Sequence, residues 1–379
     1  MSAHSLTEAE LGELIEAIAT ELARAYVFPE VGAKLARHVR DRLGAGAYAA
    51  DKPAALASTI HEELRDLSGD GHLRFFYNET PEPVKADELN PEEVARMDRW
   101  RAFHNHGFEK AERLSGNVGY LEFKGFYPMA EAAHAASGAI AMLVDTDALI
   151  VHLRQNGGAS PETVAFLCSY FLGPDPVHLN DIYDRIADQT KQYWTHRAVP
   201  GRRYLDNPVY LLTSKATFSG AEEFAYNLQQ NKRAIVVGEQ TGGGAHPTRW
   251  MRVHPHFALG IPFGRAINPV TGTNWEGSGV TPDIAVAAED ALARAHHESL
   301  TQLRERANSR GDGFVVEDDR RGDGSYCRLA ARLENHSQIV DERCLRNTAE
   351  LGDITGLNCG ARSSGRWRTT SSLPQLIRL

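Results

Sequence analysis

The chain has 379 residues, 42% of them hydrophobic and 24% charged, enough to bury one large core or two smaller ones. Its formal net charge of −9 gives no basic excess for nucleic acid. No stretch approaches the roughly 18 uninterrupted apolar residues of a membrane span. The opening residues, MSAHSLTEAELGELIEAIATEL, show neither a basic n-region nor an apolar h-region. No secretory signal is read, and a cytoplasmic location is expected. Four cysteines, Cys168, Cys327, Cys344 and Cys359, have no metal-type pairing. Cys168 lies in an apolar helical run and reads as a buried thiol.

Residues 5–67 read as three helices. Leu11, Ile15, Ile18 and Leu22 recur at helical spacing in the first, which stops near Pro29. The second runs over about 31–43 and ends at Gly44. The third follows Asp51 and Pro53 and carries Leu56, Ile60, Leu64 and Leu67. Its end delivers the chain to Gly69-Asp70-Gly71-His72-Leu73, a glycine turn opening a strand-like segment. His72 there is a candidate general base or a structural residue. Residues 81–116 are polar and proline-containing, a linker with a short helix near 91–103. From 117 to 240 the pattern is β-α-β-α-β-α-β, which argues for a layered α/β domain with a mainly parallel sheet. Residues 174–207 read as a loop or flap, 249–253 and 257–262 as an antiparallel pair, and 288–307 as a last helix. Residues 308–379 carry many arginines and no lysine, and read as an appendage without a legible role.

The stretch 208–230, PVYLLTSKATFSGAEEFAYNLQQ, carries the chemistry. A short apolar strand feeds a helix through a small-residue turn that contains Ser219. A serine there lies among free backbone N–H groups at the positive end of the helix dipole. That suits a nucleophile with oxyanion donors beside it, and it equally suits a helix cap. Glu222 and Glu223 complement the helix N-terminus. A serine nucleophile needs a base, and after Ser219 the chain has a single lysine, Lys232, at the polar end of this helix. His254 and His256 share a strand face, but no third metal ligand is signalled. His246 follows Gly242-Gly243-Gly244-Ala245 and is a second candidate site histidine, contacting substrate. Trp275 reads as a packing residue.

Six segments in order resemble peptidase family S41, in the branch containing the interphotoreceptor retinoid-binding protein modules and the tricorn protease core. They are Gly69-Asp70-Gly71-His72-Leu73, Asn117-Val118-Gly119-Tyr120, Leu153-Arg154-Gln155-Asn156-Gly157-Gly158, Thr217-Phe218-Ser219-Gly220-Ala221-Glu222-Glu223-Phe224, Val237-Gly238-Glu239 and Trp275-Glu276-Gly277. The resemblance implies a ClpP/crotonase-like α/β core (117–307) behind an N-terminal helical domain (1–80). Carried over by motif, Ser219 resembles the nucleophile, His72 the base and Glu276 the acid that orients it, with N–H groups of Gly220 and Gly158 as the oxyanion hole. The C-terminal processing proteases of the wider family place a lysine in a Gly-Glu-Lys-Thr setting. This chain has Gly238-Glu239-Gln240-Thr241, so a Ser–Lys dyad is not expected.

The resemblance thus implies a serine hydrolase, a peptidase working through an acyl-enzyme, that needs no metal or cofactor. Those proteases also carry a PDZ domain, on the order of 90 residues, where this chain has about 30 polar residues. Selection of a substrate C-terminus by that device is not expected. The retinoid-binding modules show that the scaffold also serves a ligand carrier. A carrier of retinoid or fatty ligands and an acyl hydrolase or transferase on a small metabolite therefore stand as alternatives. Expected partners are a peptide or small acyl substrate, with no nucleic acid and no membrane; a homo-oligomer is left open.

Overall fold

The computed structural model describes residues 5–82, 84 and 91–310. Three helices open the chain: α1 (Glu8–Ala25), α2 (Pro29–Gly44) and α3 (Pro53–Ser68). Thr7 and Glu10 close a reciprocal capping box on α1, and its buried face is Leu11, Leu14, Ile15, Ile18 and Leu22. Helix α3 stops at Gly69, which takes φ 68° as a left-handed cap. That cap turns the chain into β1 (Arg74–Tyr77).

Helix α4 (Pro91–Phe103) follows, then β2 (Phe108–Leu114), β3 (Val118–Phe123), α5 (Met129–Leu143), β4 (Ala148–His152) and α6 (Pro161–Phe171). Next come β5 (His178–Asp184), β6 (Gln189–Trp194), β7 (Val209–Thr213), α7 (Gly220–Gln230) and β8 (Ile235–Gly238). The remainder is β9 (Thr248–His254), β10 (Phe257–Pro262), β11 (Gly264–Ile267), β12 (Ile284–Ala285) and α8 (Ala291–Arg310).

The central sheet runs β12-β8-β7-β4-β3-β2, parallel throughout except for the antiparallel edge strand β2. Every residue of β4 and of β7 is buried, as a sheet covered on both faces requires. Helices α5, α6 and α7 cover one face, through Ile140, Phe166, Phe171, Phe224 and Leu228 among others. Helix α8 covers the other, through Ala291, Ala295 and Leu303. A separate core joins α1–α3 to β1, which pairs antiparallel with β10 and so extends the β9–β10 hairpin. The N-terminal helical layer is therefore stitched to the α/β core by a strand. A second small sheet, β11-β5-β6, lies over α6 and α7.

Two segments differ from the sequence reading. The presumed linker supplies β2, whose alternating residues FEKAERL are half exposed at the sheet edge. The presumed loop 174–207 holds the β5–β6 hairpin, with β6 exposed at most positions. Neither stretch has the apolar run that marks a buried strand. The appendage beyond residue 310, with Cys327, Cys344 and Cys359, lies outside the described residues. Among the described residues no helix is long and apolar enough to cross a membrane.

Candidate active site

Ser219 sits where β7 gives way to α7, at the carboxyl end of the central strands, where open α/β sheets place their sites. The turn is pinned from beneath. Thr217 donates its hydroxyl to the Leu153 carbonyl at 2.8 Å, and the Phe218 N–H reaches the Asn156 carbonyl at 3.1 Å. Ser219 itself takes φ 56° and ψ −123°. A serine holds that conformation at a cost of about 1–3 kcal/mol. The strand-to-helix turn thus carries its strain at the serine itself.

The loop after β4 packs directly on that elbow. A Cβ on Gly158 would stand 2.3 Å from the Gly220 nitrogen, and one on Gly220 would stand 3.0 Å from the Ala159 nitrogen. The expected donor Gly158 is otherwise engaged: its N–H goes to Asn156 Oδ1 at 2.9 Å. Asn156, fully buried, is held by its own amide on the Phe123 carbonyl. The next residue, Ala159, stands at φ 132°, where an L residue is strained. Its neighbours bond to Phe126, the Gly158 carbonyl accepting and the Ser160 N–H donating, both at 2.8 Å. The Ala159 nitrogen lies close against Gly220.

Glu222 does more than complement a helix end. Its carboxylate is fully buried and takes N–H groups from Ser219 (2.8 Å), Gly243 (2.7 Å) and Gly244 (2.8 Å), with the Thr241 hydroxyl as a fourth donor. It staples the loop 241–244 to the elbow. Burial pushes its carboxyl up to about 7, against the pull of those four donors.

The glycine loop in turn makes room for His72. A Cβ on Gly244 would lie 2.5 Å from His72 Cε1 and 2.3 Å from Phe218 Cζ. The His72 ring rests on the Phe218 ring, centroids 4.5 Å apart, beside the residue that precedes Ser219. Burial pushes the imidazole down to about 4; Asp70 attracts the charged form, while Arg74 and His246 oppose it. His72 Nδ1 is buried and unpartnered. Carboxylate oxygens of Asp70 and Glu276 and a ring nitrogen of His72 all lie within 4.8 Å of one another.

Asp70 is 2% exposed and collects donors from three parts of the chain. These are the His72 N–H (2.9 Å), the Tyr26 hydroxyl (3.0 Å) and His246 Nδ1 (2.7 Å). Glu276 accepts the Ala245 N–H at 2.5 Å and lies 3.5 Å from His246 Nδ1. Burial raises the Glu276 carboxyl and Asp70 adds to that rise, while His246 opposes it. His246, the second candidate histidine, is 5% exposed, edge-on to Phe28 and bonded to Asp70. Trp275 packs as expected and donates its indole N–H to the Gly244 carbonyl at 2.7 Å.

The spacing of Asp70, His72 and Glu276 would admit a divalent cation. Asp70 is committed to Tyr26, His246 and the His72 N–H, and Glu276 Oε2 to the Ala245 N–H, whereas Glu276 Oε1 and His72 Nδ1 are buried without a hydrogen-bond partner. His256 bonds the Asn78 carbonyl through Nδ1, and His254 Nδ1 accepts the His256 N–H. Cys168 is buried, and burial raises its thiol well above the ordinary value. Sequence reasoning missed the hydrogen-bonding contacts of Asp70 and Glu222. The Ser-x-x-Glu capping pattern at 219–222 and the Asp-x-His pattern at 70–72 were the available signals.

The fold and site define an α/β protein with a strained serine elbow, a histidine and buried carboxylates delivered from separate segments. Residues 117–286 match the model of peptidase family S41, and residues 5–102 match the N-terminal domain of peptidase S41 in eukaryotic IRBP. The chain belongs to peptidase family S41. It is 30% identical over 103 residues to the tail-specific protease of Haemophilus influenzae, a match spanning 26% of this chain and 13% of that protein. A lipoprotein structure from Streptococcus agalactiae shares the fold at a TM-score of 0.50 and 14% identity, covering 77% of this chain and 96% of that one. A structure of a candidate peptidase from Parabacteroides merdae does so at 0.50 and 17%, covering 74% and 92%.

Proposed function

We propose that this protein is a serine peptidase that works through an acyl-enzyme, with Ser219 as nucleophile, His72 as general base and Glu276 as the carboxylate that orients the base. The observation that carries the reading is the strained backbone of Ser219 at the head of α7, with the His72 ring against that of the preceding residue, Phe218. Membership of a peptidase family supports it. The Ser219 hydroxyl attacks the scissile carbonyl as His72 takes its proton. The oxyanion then formed meets the N–H groups of Gly220 and Ala159. Glu276, backed by the Ala245 N–H, stabilises the imidazolium that appears. His72 then returns the proton to the leaving amine, and water reverses the sequence.

A peptide-library digest tests this. Cleavage by the wild type that both Ser219→Ala and His72→Ala abolish is the expected result. Cleavage that survives Ser219→Ala would overturn the assignment. Tight binding of a retinoid or fatty acid with no cleavage would favour the carrier alternative, and turnover of small esters alone would favour an acyl hydrolase.

A further inference from the structure

The base and the nucleophile belong to different layers. His72 follows α3 of the N-terminal helical layer, whereas Ser219 heads a helix of the α/β core. Catalysis by this pair, the reading on which this inference rests, needs their separation fixed to a fraction of an ångström.

A chain of short hydrogen bonds spans the joint. The Ser219 N–H meets Glu222, and Glu222 holds the Gly243 and Gly244 N–H groups. Two residues on, His246 crosses to Asp70 at 2.7 Å, and Asp70 holds the backbone N–H of His72 at 2.9 Å. Tyr26, at the end of α1, steadies Asp70 from the helical side. His246 also lies 3.5 Å from Glu276, so one Nδ1–H stands between the two carboxylates nearest the base. Two carboxylates so placed repel each other unless a donor bridges them. Buried and away from solvent, His246 is placed to hold this joint rather than to meet substrate.

We propose that His246 is a positioning residue that sets the base-bearing segment against the nucleophile, through Asp70 for the backbone of His72 and through Glu276 for its imidazole. His246→Leu removes the bridging donor. His246→Gln restores a donor with two hydrogens.

The test is phosphonylation of the full chain by a fluorophosphonate, in which the serine oxygen bonds to phosphorus as fluoride leaves, with the limiting rate and the half-saturating concentration measured separately. Thermal melts of every variant run alongside. His246→Leu is expected to lower the limiting rate about a hundredfold, the effect of a misplacement near 1 Å, with half-saturation little changed. His246→Gln is expected to regain roughly tenfold of that loss. Asp70→Asn combined with His246→Gln is expected to be no worse than the poorer single variant, as for residues that act as one unit. If His246→Leu does not fold, His246→Gln and Asp70→Asn carry the comparison. Folded variants phosphonylated at the wild-type rate would overturn the proposal. So would losses confined to half-saturation, or fully additive losses in the double variant. Failure of the wild type to label at Ser219 would overturn the serine mechanism, whereas equal labelling of wild type and variants would overturn only the role of His246.

Discussion

Two residues set the local chemistry, and each has a measurable signature. Ser219 accepts a positive φ that glycine adopts without penalty. Ser219→Gly should therefore be inactive yet about 1 kcal/mol more stable than Ser219→Ala, in denaturant unfolding. Equal stability of the two would mean that the elbow carries no strain. His72 is held neutral by burial, its imidazole pushed down to about 4. A general base must be unprotonated, so activity should persist below the ordinary histidine range as pH falls. The acid limb of kcat/KM should lie below about 6.5. Asp70→Asn removes the attraction that favours the imidazolium, and should move that limb further towards acid. A limb at or above the ordinary value would contradict the assignment of His72. The sequence marked both residues by local pattern alone: a serine at a helix start, a histidine after a glycine turn. Its choice of Gly158 as oxyanion donor took no account of the side chain of Asn156, which folds back onto the Gly158 N–H, a contact decided by the shape of the loop.

At the scale of elements, the loop 241–246 is the organiser. It is tied to α7 by Glu222, to the N-terminal layer by His246, and to the segment after β11 by Ala245 and the Gly244 carbonyl. Gly244→Ala should push against His72 and Phe218, costing about 1–3 kcal/mol in stability. It should abolish most activity by displacing the base. Unchanged acylation in that variant would show that the base is not seated there. Glu222→Gln should cost about 2–4 kcal/mol, because an amide nitrogen would face donors that now meet a carboxylate. Calorimetry or denaturant melts would check it, and a neutral result would remove the staple. The capping pattern at 219–222 was legible, but its partners lie 19 to 22 residues away across a turn that the sequence does not draw. The half-exposed strands β2 and β6 went unread for the opposite reason: their patterning is as polar as that of a loop.

At the scale of the molecule, the core of the N-terminal layer and that of the α/β sheet meet at a polar joint, with His72 on one side and Ser219 on the other. The β-α-β succession that fixes the larger core was legible because its strands are short apolar runs between helical repeats. The stitching of the helical layer through β1 and β10 was not, since it joins segments about 180 residues apart. The interior also holds a carboxylate that the mechanism does not use. Glu223 is 4% exposed with Oε1 unpartnered, and burial pushes its carboxyl up to about 8. The folded state thus keeps a proton that the unfolded chain releases near its ordinary value. As pH rises from about 5 to about 8, the wild type should lose stability relative to Glu223→Gln, by on the order of a few kcal/mol. Parallel melting curves for the two proteins across that range would contradict it.

The most direct measurement of the central claim is the mapped site of a fluorophosphonate adduct on the intact chain. One adduct per chain, on Ser219, and lost in His72→Ala and sharply reduced in Glu276→Gln, is the expected result. A folded wild type that stays unlabelled, or that carries its adduct on another residue, would contradict it.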